Sequence, residues 1–270
     1  MDASIIAREC ETARHRQDER RDVNCSVVRR ATRHVRIRLR ERLHTIEGTE
    51  PLPMANVPFQ PGHHARRFVV GVSGASGAAY SLRLLELLLG HGHEVHLVVS
   101  EYGRRLLFEE AGVARLDLES LVPSLAGEPG AAARLIVHPH KDVGAVIASG
   151  SFLHEGMVVL PCSSASLGQM ATGSGSNLLC RAAMVTLKER RPLIVCHREM
   201  PLSHIDIENY ERLSRAGAIV CPTNPGFYLG PRRVEDLVDF VVGKVLDLLK
   251  VEHDLKTRWG EKVGEEVGEE

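Results

Sequence analysis

Short apolar runs alternate with helical segments through the middle of the chain. The runs Arg67–Ser73 and His93–Ser100 are short enough to be buried strands, and three similar runs are Met157–Leu160, Leu193–Cys196 and Ala218–Cys221. Helical spacing of apolar residues follows them at 82–89, after residue 100, and at 164–171, 178–190, 205–215 and 234–249. Strands that alternate with helices in this way predict an α/β fold with a parallel sheet covered on both faces.

Two oppositely charged ends flank this segment. Residues 1–53 hold twelve Arg and nine acids, while residues 250–270 hold four bases and seven acids. We expect residues 1–60 to be a disordered Arg-rich extension with a Pro-rich linker, 61–255 to be the folded domain, and 256–270 to be an acidic tail. An Arg-rich transit peptide is disfavoured by the nine acids. A misplaced start codon, with the true start at Met54, is the remaining alternative for the extension.

The composition excludes several classes of protein. With 43% hydrophobic residues and a formal net charge of -1, the chain resembles an ordinary soluble globular protein without a basic field for nucleic acid or an anionic membrane. No apolar run reaches the roughly 18 residues of a membrane span, and because no early apolar run has the pattern of a secretory signal, we expect none. The six cysteines form no C-x-x-C pair. We therefore expect reduced, mostly buried thiols in a cytoplasmic protein, and no zinc site.

Small and polar residues follow four of the predicted strands. They are Ser73–Gly77, Ser100, Pro161–Ser166 and His197–Glu199. Ligands of open parallel sheets bind beyond the carboxyl ends of the strands, so the sequence predicts a binding site at this edge.

The turn Gly71–Gly77 has the glycine spacing G-x-x-G-x-x-G, which is neither a dinucleotide fingerprint nor a phosphate-binding P-loop. A Gly/Ser turn that leads into a helix presents free backbone N–H groups, which suit a phosphate or the edge of a flavin. A tight strand-to-helix turn that merely needs small residues is the alternative interpretation.

Three further features have a functional and a structural interpretation. Arg181 and Lys188 lie seven residues apart, on one helix face, where they could share an anion or form a solvated basic surface. Arg198–Glu199 follows a strand and is either part of a site or a surface ion pair. The loop Pro222–Tyr228 carries two of the chain's scarce aromatic residues, which it either displays or tucks into the core.

Together these residues resemble the UbiX-type flavin prenyltransferases. The match is collinear from about Arg67 to Trp259, and several motifs in one order make it specific. The motifs are Val72–Tyr80, Leu160–Ser163, Ala171–Gly173, Arg181–Ala183, Leu187–Leu193, Arg198–Glu199 and Pro225–Tyr228.

The resemblance implies a three-layer α/β/α, flavodoxin- or Rossmann-like flavoprotein that binds FMN at subunit interfaces. Such enzymes join the dimethylallyl group of dimethylallyl monophosphate to N5 and C6 of reduced FMN. The product, prenylated FMN, serves UbiD-type decarboxylases. The resemblance further implies that no metal is needed and that the chain assembles as a homo-oligomer, commonly a dodecamer.

The resemblance also implies roles for individual residues. Glu199 is expected as the acid/base, Ser76 near the reacting flavin edge, and Glu110 as a further site carboxylate. Expected FMN contacts are Gly74, Ala75, Ser76, Ser100, Ser163, Ser164, Ala165, Ser166 and Arg198. The dimethylallyl phosphate is expected to meet Arg181, Lys188, Arg198, Tyr228 and Lys244.

One residue departs from the family pattern, because Lys244 stands where the resemblance predicts Arg. Lysine keeps the charge but loses the bidentate fork, so the phosphate geometry is expected to be looser. Two other functions remain open at this point. One is a flavoprotein decarboxylase of the cysteine-decarboxylase type, although its Asn/Met-rich substrate loop is not found. The other is a non-catalytic flavin-binding subunit of a decarboxylase system.

Overall fold

The computed structural model describes residues 65–255 and 257. Six parallel strands form one sheet in the order β3-β2-β1-β4-β5-β6. The strands are β1 (Arg67–Val72), β2 (Glu94–Val99), β3 (Leu135–His138), β4 (Gly156–Cys162), β5 (Leu193–His197) and β6 (Ile219–Val220). The predicted parallel sheet is therefore confirmed. The predicted extension at 1–60 and nearly all of the predicted tail at 256–270 lie outside the described residues and stay predictions.

Helices connect the strands and cover both faces of the sheet. They are α1 (Ala78–Gly90), α2 (Glu101–Ala111), α3 (Leu118–Leu121), α4 (Ala131–Arg134), α5 (Ser164–Ala171), α6 (Leu178–Lys188), α7 (His204–Arg215) and α8 (Val234–Leu248), with short 3-10 turns at Pro123–Leu125 and Val146–Ala148. All the longer helices were predicted. The short helices α3 and α4 and the edge strand β3 were not, because each has only four residues and too little apolar periodicity to signal itself.

Successive side chains of each strand point to opposite faces of the sheet and so divide the core into two layers. In β1, Phe68 and Val70 face α1 and α8, whereas Val69 faces the opposite layer that contains α6. All three side chains are fully buried. Burial on both faces explains why the strands appear in the sequence as continuous apolar runs rather than as alternating ones.

The strand order places a crevice at one edge of the sheet. From β1 the chain proceeds outward through β2 and β3, and then crosses to the other side of β1 to form β4. Neighbouring strands whose connections leave in opposite directions open a gap beyond their carboxyl ends. The turn after β1 and the turn after β4 border that gap, and both were predicted from sequence to carry site residues.

Candidate active site

Ser73 ties the end of β1 to the end of β4 at this crevice. Its hydroxyl donates to the Pro161 carbonyl (3.1 Å) and accepts a hydrogen bond from the Ser163 N–H (2.8 Å). The side chain is only 1% exposed, so these bonds replace those that water would make. Sequence reasoning gave Ser73 no role because its partner Pro161 is 88 residues away.

Gly74 allows the turn after β1 to approach the first turn of α2. A Cβ atom at residue 74 would lie 2.5 Å from the Cβ of Tyr102, closer than two carbon atoms can pack. Residue 74 is therefore glycine because a side chain there has no room beside Tyr102. Of the two predicted FMN contacts in this turn, Gly74 is half-buried and Ala75 is buried.

Glu110 caps the start of α1. Its Oε2 atom accepts hydrogen bonds from the backbone N–H groups of Gly77 and Ala78, each at 2.9 Å. Burial raises the pKa of Glu110, but the bonds from Ala78, Gly77 and the Ser76 hydroxyl, together with the charge of Arg198, lower it overall. The carboxyl is therefore ionised at neutral pH.

This cap corrects the expectation that the Gly/Ser turn offers free N–H groups to an anion. Two of those groups are already bound by the carboxylate of Glu110, which lies 33 residues further along the chain. The structure does bring together Ser76 and Glu110, two of the three predicted catalytic residues. The observed contacts of Glu110 are those of a residue that positions the turn.

The serines at the ends of β2 and β4 begin the next two helices. Ser100 Oγ accepts from the Gly103 N–H (3.0 Å) and Ser163 Oγ accepts from the Ser166 N–H (3.3 Å), so each caps a helix. Because α2 and α5 start directly after parallel strands, their positive ends face the same edge of the sheet. Ala165 in the first turn of α5 is exposed and leaves that end accessible.

Ser164 belongs to a hydrogen-bonded chain that the sequence did not reveal. Its hydroxyl lies 3.0 Å from His197 Nε2, and His197 Nδ1 lies 2.8 Å from the Tyr210 hydroxyl. Ser164 also hydrogen-bonds to the carboxylate of Asp206, which can only accept. Ser164 must therefore donate to Asp206 and accept from His197 Nε2–H, which leaves Nδ1 to accept from Tyr210.

His197 and Tyr210, the two aromatic residues in this series of hydrogen bonds, are both neutral. Burial lowers the pKa of His197 against the opposing charges of Asp206 and Glu199. Burial, aided by the negative charge of Asp206, raises the pKa of Tyr210 to about 12. These hydrogen bonds thus orient Ser164 without adding charge. The only sequence signal for His197 was a polar residue that ends an apolar run.

Arg198 and Glu199 leave β5 at the carboxyl edge, as predicted. The Arg198 N–H donates to the Cys162 carbonyl (3.0 Å), which keeps β5 beside β4 up to this residue. Both side chains are exposed. The positive charge of Arg198 acts to lower the pKa of Tyr80 and of Glu110, so the guanidinium lies near the turn after β1.

Tyr228 and Lys244 lie on the α8 side of the sheet. The Tyr228 ring packs edge-to-face on Phe240 with centroids 5.6 Å apart, and its hydroxyl donates to the Thr257 carbonyl (3.0 Å). Lys244 Nζ lies 3.6 Å from Asp247, and its charge acts on Cys221 beyond β6. The loop after β6 therefore displays Tyr228 while Phe227 is 70% exposed, so neither aromatic residue is tucked into the core.

Arg181 and Lys188 are separated along α6. Seven residues correspond to about 10 Å of helix. Arg181 is near the start of α6 beside Gly175, whereas Lys188 ends the helix beside Gly150 and pairs with Glu189 at 2.5 Å. Gly150 precedes β4, so Lys188 lies toward the amino edge of the sheet. Within one chain Lys188 therefore does not join Arg198.

The part of the chain that the structure describes shows neither a metal cluster nor a membrane-spanning helix. No group of three or more His, Cys, Asp and Glu side chains within residues 65–255 and 257 is arranged to hold a metal ion. In the same residues, no helix combines the length and the apolar character that crossing a bilayer requires.

Comparison with known proteins gives consistent matches. The family model described as Flavoprotein matches residues 61–246. A flavin prenyltransferase UbiX of Alkalihalophilus pseudofirmus is 45% identical over 193 residues, which cover 71% of this chain and 95% of that relative. A flavin prenyltransferase UbiX of Pseudomonas aeruginosa is 42% identical over 198 residues, which cover 73% of this chain and 95% of that relative.

Solved structures are similar over the same region. AnUbiX (PadA1), crystallised with FMN and dimethylallyl pyrophosphate, has a TM-score of 0.65 at 35% identity and covers 73% of this chain and 98% of its own. A dodecameric FMN-dependent UbiX-like decarboxylase from Escherichia coli O157:H7 has a TM-score of 0.63 at 37% identity, with 72% and 98% covered.

Proposed function

The chain belongs to the Flavoprotein family and, within it, to the UbiX-type flavin prenyltransferases, and from that premise we propose its reaction in detail. The membership predicted from the sequence motifs is thereby confirmed. The proposed reaction joins the dimethylallyl group of dimethylallyl monophosphate to N5 and C6 of reduced FMN. The prenylated FMN then serves a UbiD-type decarboxylase, and the reaction takes place in the cytoplasm without a metal.

One observation supports this proposal most directly. Arg198 and Glu199 leave β5 at the carboxyl edge, and the charge of Arg198 acts on Glu110 behind the turn after β1. An exposed arginine, an exposed glutamate and a half-buried glycine turn thus border the crevice beside β1 and β4. An arrangement of this kind suits a phosphorylated, flat ligand whose reacting edge exchanges a proton.

We propose that the crevice is where FMN binds. Gly74 brings the backbone close, and a side chain there would clash with Tyr102. The exposed residue Ala165 and the starts of α2 and α5 add a small surface and two positive helix ends. We propose that FMN contacts Gly74, Ala75, Ser76, Ser100, Ser163, Ser164, Ala165, Ser166 and Arg198.

The donor phosphate needs several cations. Arg198, Lys244 and the Tyr228 hydroxyl would come from the subunit that forms the crevice. Arg181 and Lys188 are instead spread along α6. We therefore propose that a homo-oligomer, in which a second copy supplies α6, completes the phosphate site. The dodecameric relative, which has a TM-score of 0.63 to this chain, supports such an assembly.

In the proposed mechanism the chain stabilises charge and moves protons, since N5 and C6 would each lose one as their new bonds form and the prenyl double bond would gain one. When bound, reduced FMN supplies the electron-rich ring atoms that accept the prenyl group. Arg198 and Lys244 neutralise the charge that builds on the phosphate as the allylic C–O bond breaks. The face of Tyr228 stabilises the cationic allyl group and excludes water. Glu199 accepts the proton from N5, and Ser76 and Glu110 hold the turn that positions the reacting edge.

The experiment combines the full chain with FMN, dithionite and either dimethylallyl monophosphate or pyrophosphate, and follows prenylated FMN by mass spectrometry. Glu199→Gln is expected to retain FMN and lose at least about 100-fold in rate, since it can no longer accept a proton. The matched control is Glu119→Gln, which changes a carboxylate on α3 whose side chain is 79% exposed. This variant should keep full activity.

The same assay separates the proposal from its rivals. Absence of prenylated FMN with both donors would overturn the proposed reaction. Decarboxylation of a peptidyl or pantothenoyl cysteine would instead indicate a cysteine decarboxylase. Tight FMN binding without consumption of either donor would indicate a non-catalytic subunit. Full activity of Glu199→Gln would remove Glu199 from the mechanism.

A further inference from the structure

Two cysteines lie side by side on neighbouring strands next to the candidate site. β5 and β6 pair in parallel, with Ile194 beside Ile219 and Val195 beside Val220. One step further along this register places Cys196 beside Cys221. The Cys221 N–H donates to the Val195 carbonyl at 2.9 Å, so the pairing of the two strands continues to this position.

Both thiols point to the same face of the sheet. Cys196 belongs to the core cluster beneath α1 and α8, and Cys221 packs against that cluster, whereas Val195 lies in the opposite one. The two thiols are hydrogen-bonded to each other. Neighbouring strands are about 4.8 Å apart, and disulfides join Cα atoms that are roughly 4.4 to 6.8 Å apart. The Cα separation expected of neighbouring strands therefore falls within the range that disulfides join.

The two cysteines differ in access and in acidity. Cys221 is half-buried, whereas Cys196 is fully buried. The hydrogen bond from Cys196, helped by the charge of Lys244 and opposed by burial, lowers the pKa of Cys221 to about 7. The same hydrogen bond and burial raise the pKa of Cys196. Cys221, the more accessible and more acidic of the two thiols, is therefore the one that an oxidant meets first, with Cys196 behind it.

We propose that Cys196 and Cys221 form a reversible thiol–disulfide pair that a peroxide oxidises. The Cys221 thiolate attacks one oxygen of hydrogen peroxide, which forms an S–O bond, breaks the O–O bond and releases water after protonation. Cys196 then attacks the Cys221 sulfur, so that the S–S bond forms and the S–O bond breaks. Its proton leaves with the hydroxide as the second water. Two thiols lose two electrons in total, and the peroxide gains them.

Cys162 and Cys180 provide an internal contrast. They are free, buried and on the opposite face of the sheet, where the Cys180 thiol donates to Gln169 and the Cys162 thiol to the Ser163 carbonyl. Burial raises the pKa of both thiols, to about 11 for Cys180. Neither has the combination of access and acidity that Cys221 has, so both are expected to stay reduced.

The disulfide would join the two segments that carry the candidate site. Cys196 is followed by His197, Arg198 and Glu199, and Cys221 is followed by the loop that ends in Tyr228. The site is therefore next to the cross-link. The pairing itself does not depend on the proposed reaction, and its test uses no flavin or prenyl donor.

The test exposes the folded full chain to graded hydrogen peroxide, followed by alkylation in denaturant, intact mass and peptide mapping. All samples carry Cys10→Ser and Cys25→Ser, since those two cysteines lie outside the described residues. We expect a loss of two hydrogen atoms, a loss of two alkylation sites and one linked peptide that joins residues 196 and 221. Dithiothreitol restores both thiols.

Four variants decide the outcome. Cys196→Ala should leave a sulfenic acid at Cys221 that dimedone traps, and Cys221→Ser should abolish the linkage. Cys162→Ser and Cys180→Ser should behave as the parent. A linkage through Cys162 or Cys180, retention of all four thiols, or direct conversion of Cys221 to sulfinic acid in the parent would overturn the proposal.

Discussion

Gly74 offers the sharpest test of how the crevice is built. A Cβ at this position would approach the Tyr102 Cβ to 2.5 Å, whereas carbon atoms pack at about 3.5 to 4.0 Å. Gly74→Ala must therefore push the turn after β1 and the start of α2 apart by about 1 Å. Overpacking of this size costs about 1 to 3 kcal/mol of unfolding free energy, or about 2 to 4 °C in Tm for each kcal/mol.

The assay is urea and thermal unfolding of the full chain, together with FMN titration. Gly90→Ala is the matched control, because a Cβ there meets no atom within 4 Å, and the helical position favours alanine by up to about 1 kcal/mol. Tyr102→Gly should recover part of the loss in the double variant, since it removes the clashing atom. If Gly74→Ala matches the parent in stability and FMN affinity, the close approach does not shape the crevice.

Three further predictions concern the exposed Glu110, the half-buried Tyr210 and the buried His154. Glu110→Gln should lose up to about 1 kcal/mol at pH 7, because two charge-assisted bonds become neutral ones at an exposed position where water screens the charge. The pKa of Glu110 is lowered in the folded chain, so this difference should shrink as the pH falls below 4.5. Tyr210→Phe should lose about 1 to 3 kcal/mol, since it leaves Nδ1 of the buried His197 unpaired. Burial lowers the pKa of His154 from 6.5 to about 4. As the pH falls, the unfolded chain therefore binds a proton at this residue before the folded chain does. The free energy of unfolding should fall by about 1 to 2 kcal/mol between pH 7 and pH 5.

Urea unfolding across pH measures all three effects. A Glu110→Gln difference that grows in acid would show that the carboxylate is not what holds the start of α1. A Tyr210→Phe loss below about 0.5 kcal/mol would mean that water replaces the hydroxyl. His154→Gln should show a flatter dependence of stability on pH than the parent, and an unchanged slope would assign the acid sensitivity to other histidines.

The sheet could be predicted from sequence because its strands are short and buried on both faces. Runs such as Arg67–Val72 allow few other structures, and the helices between them have clear apolar faces. Strand β3 escaped prediction because it is a four-residue edge strand whose side chains are only half-buried. A strand of that kind is specified by its neighbour β2 more than by its own composition.

The sequence by itself determined the fold class, the family and the edge of the sheet where the site lies. It did so because strand ends are local features and the motifs follow one another in a recognisable order. Only the tertiary structure decided that Glu110 accepts hydrogen bonds from the glycine turn. It also decided that His197 links Ser164 to Tyr210, and that Cys196 lies beside Cys221. Each of these contacts joins segments that are far apart along the chain. A hydrogen bond or a thiol pair depends on atoms within a few ångströms in space, and residue spacing does not encode that distance until the chain has folded.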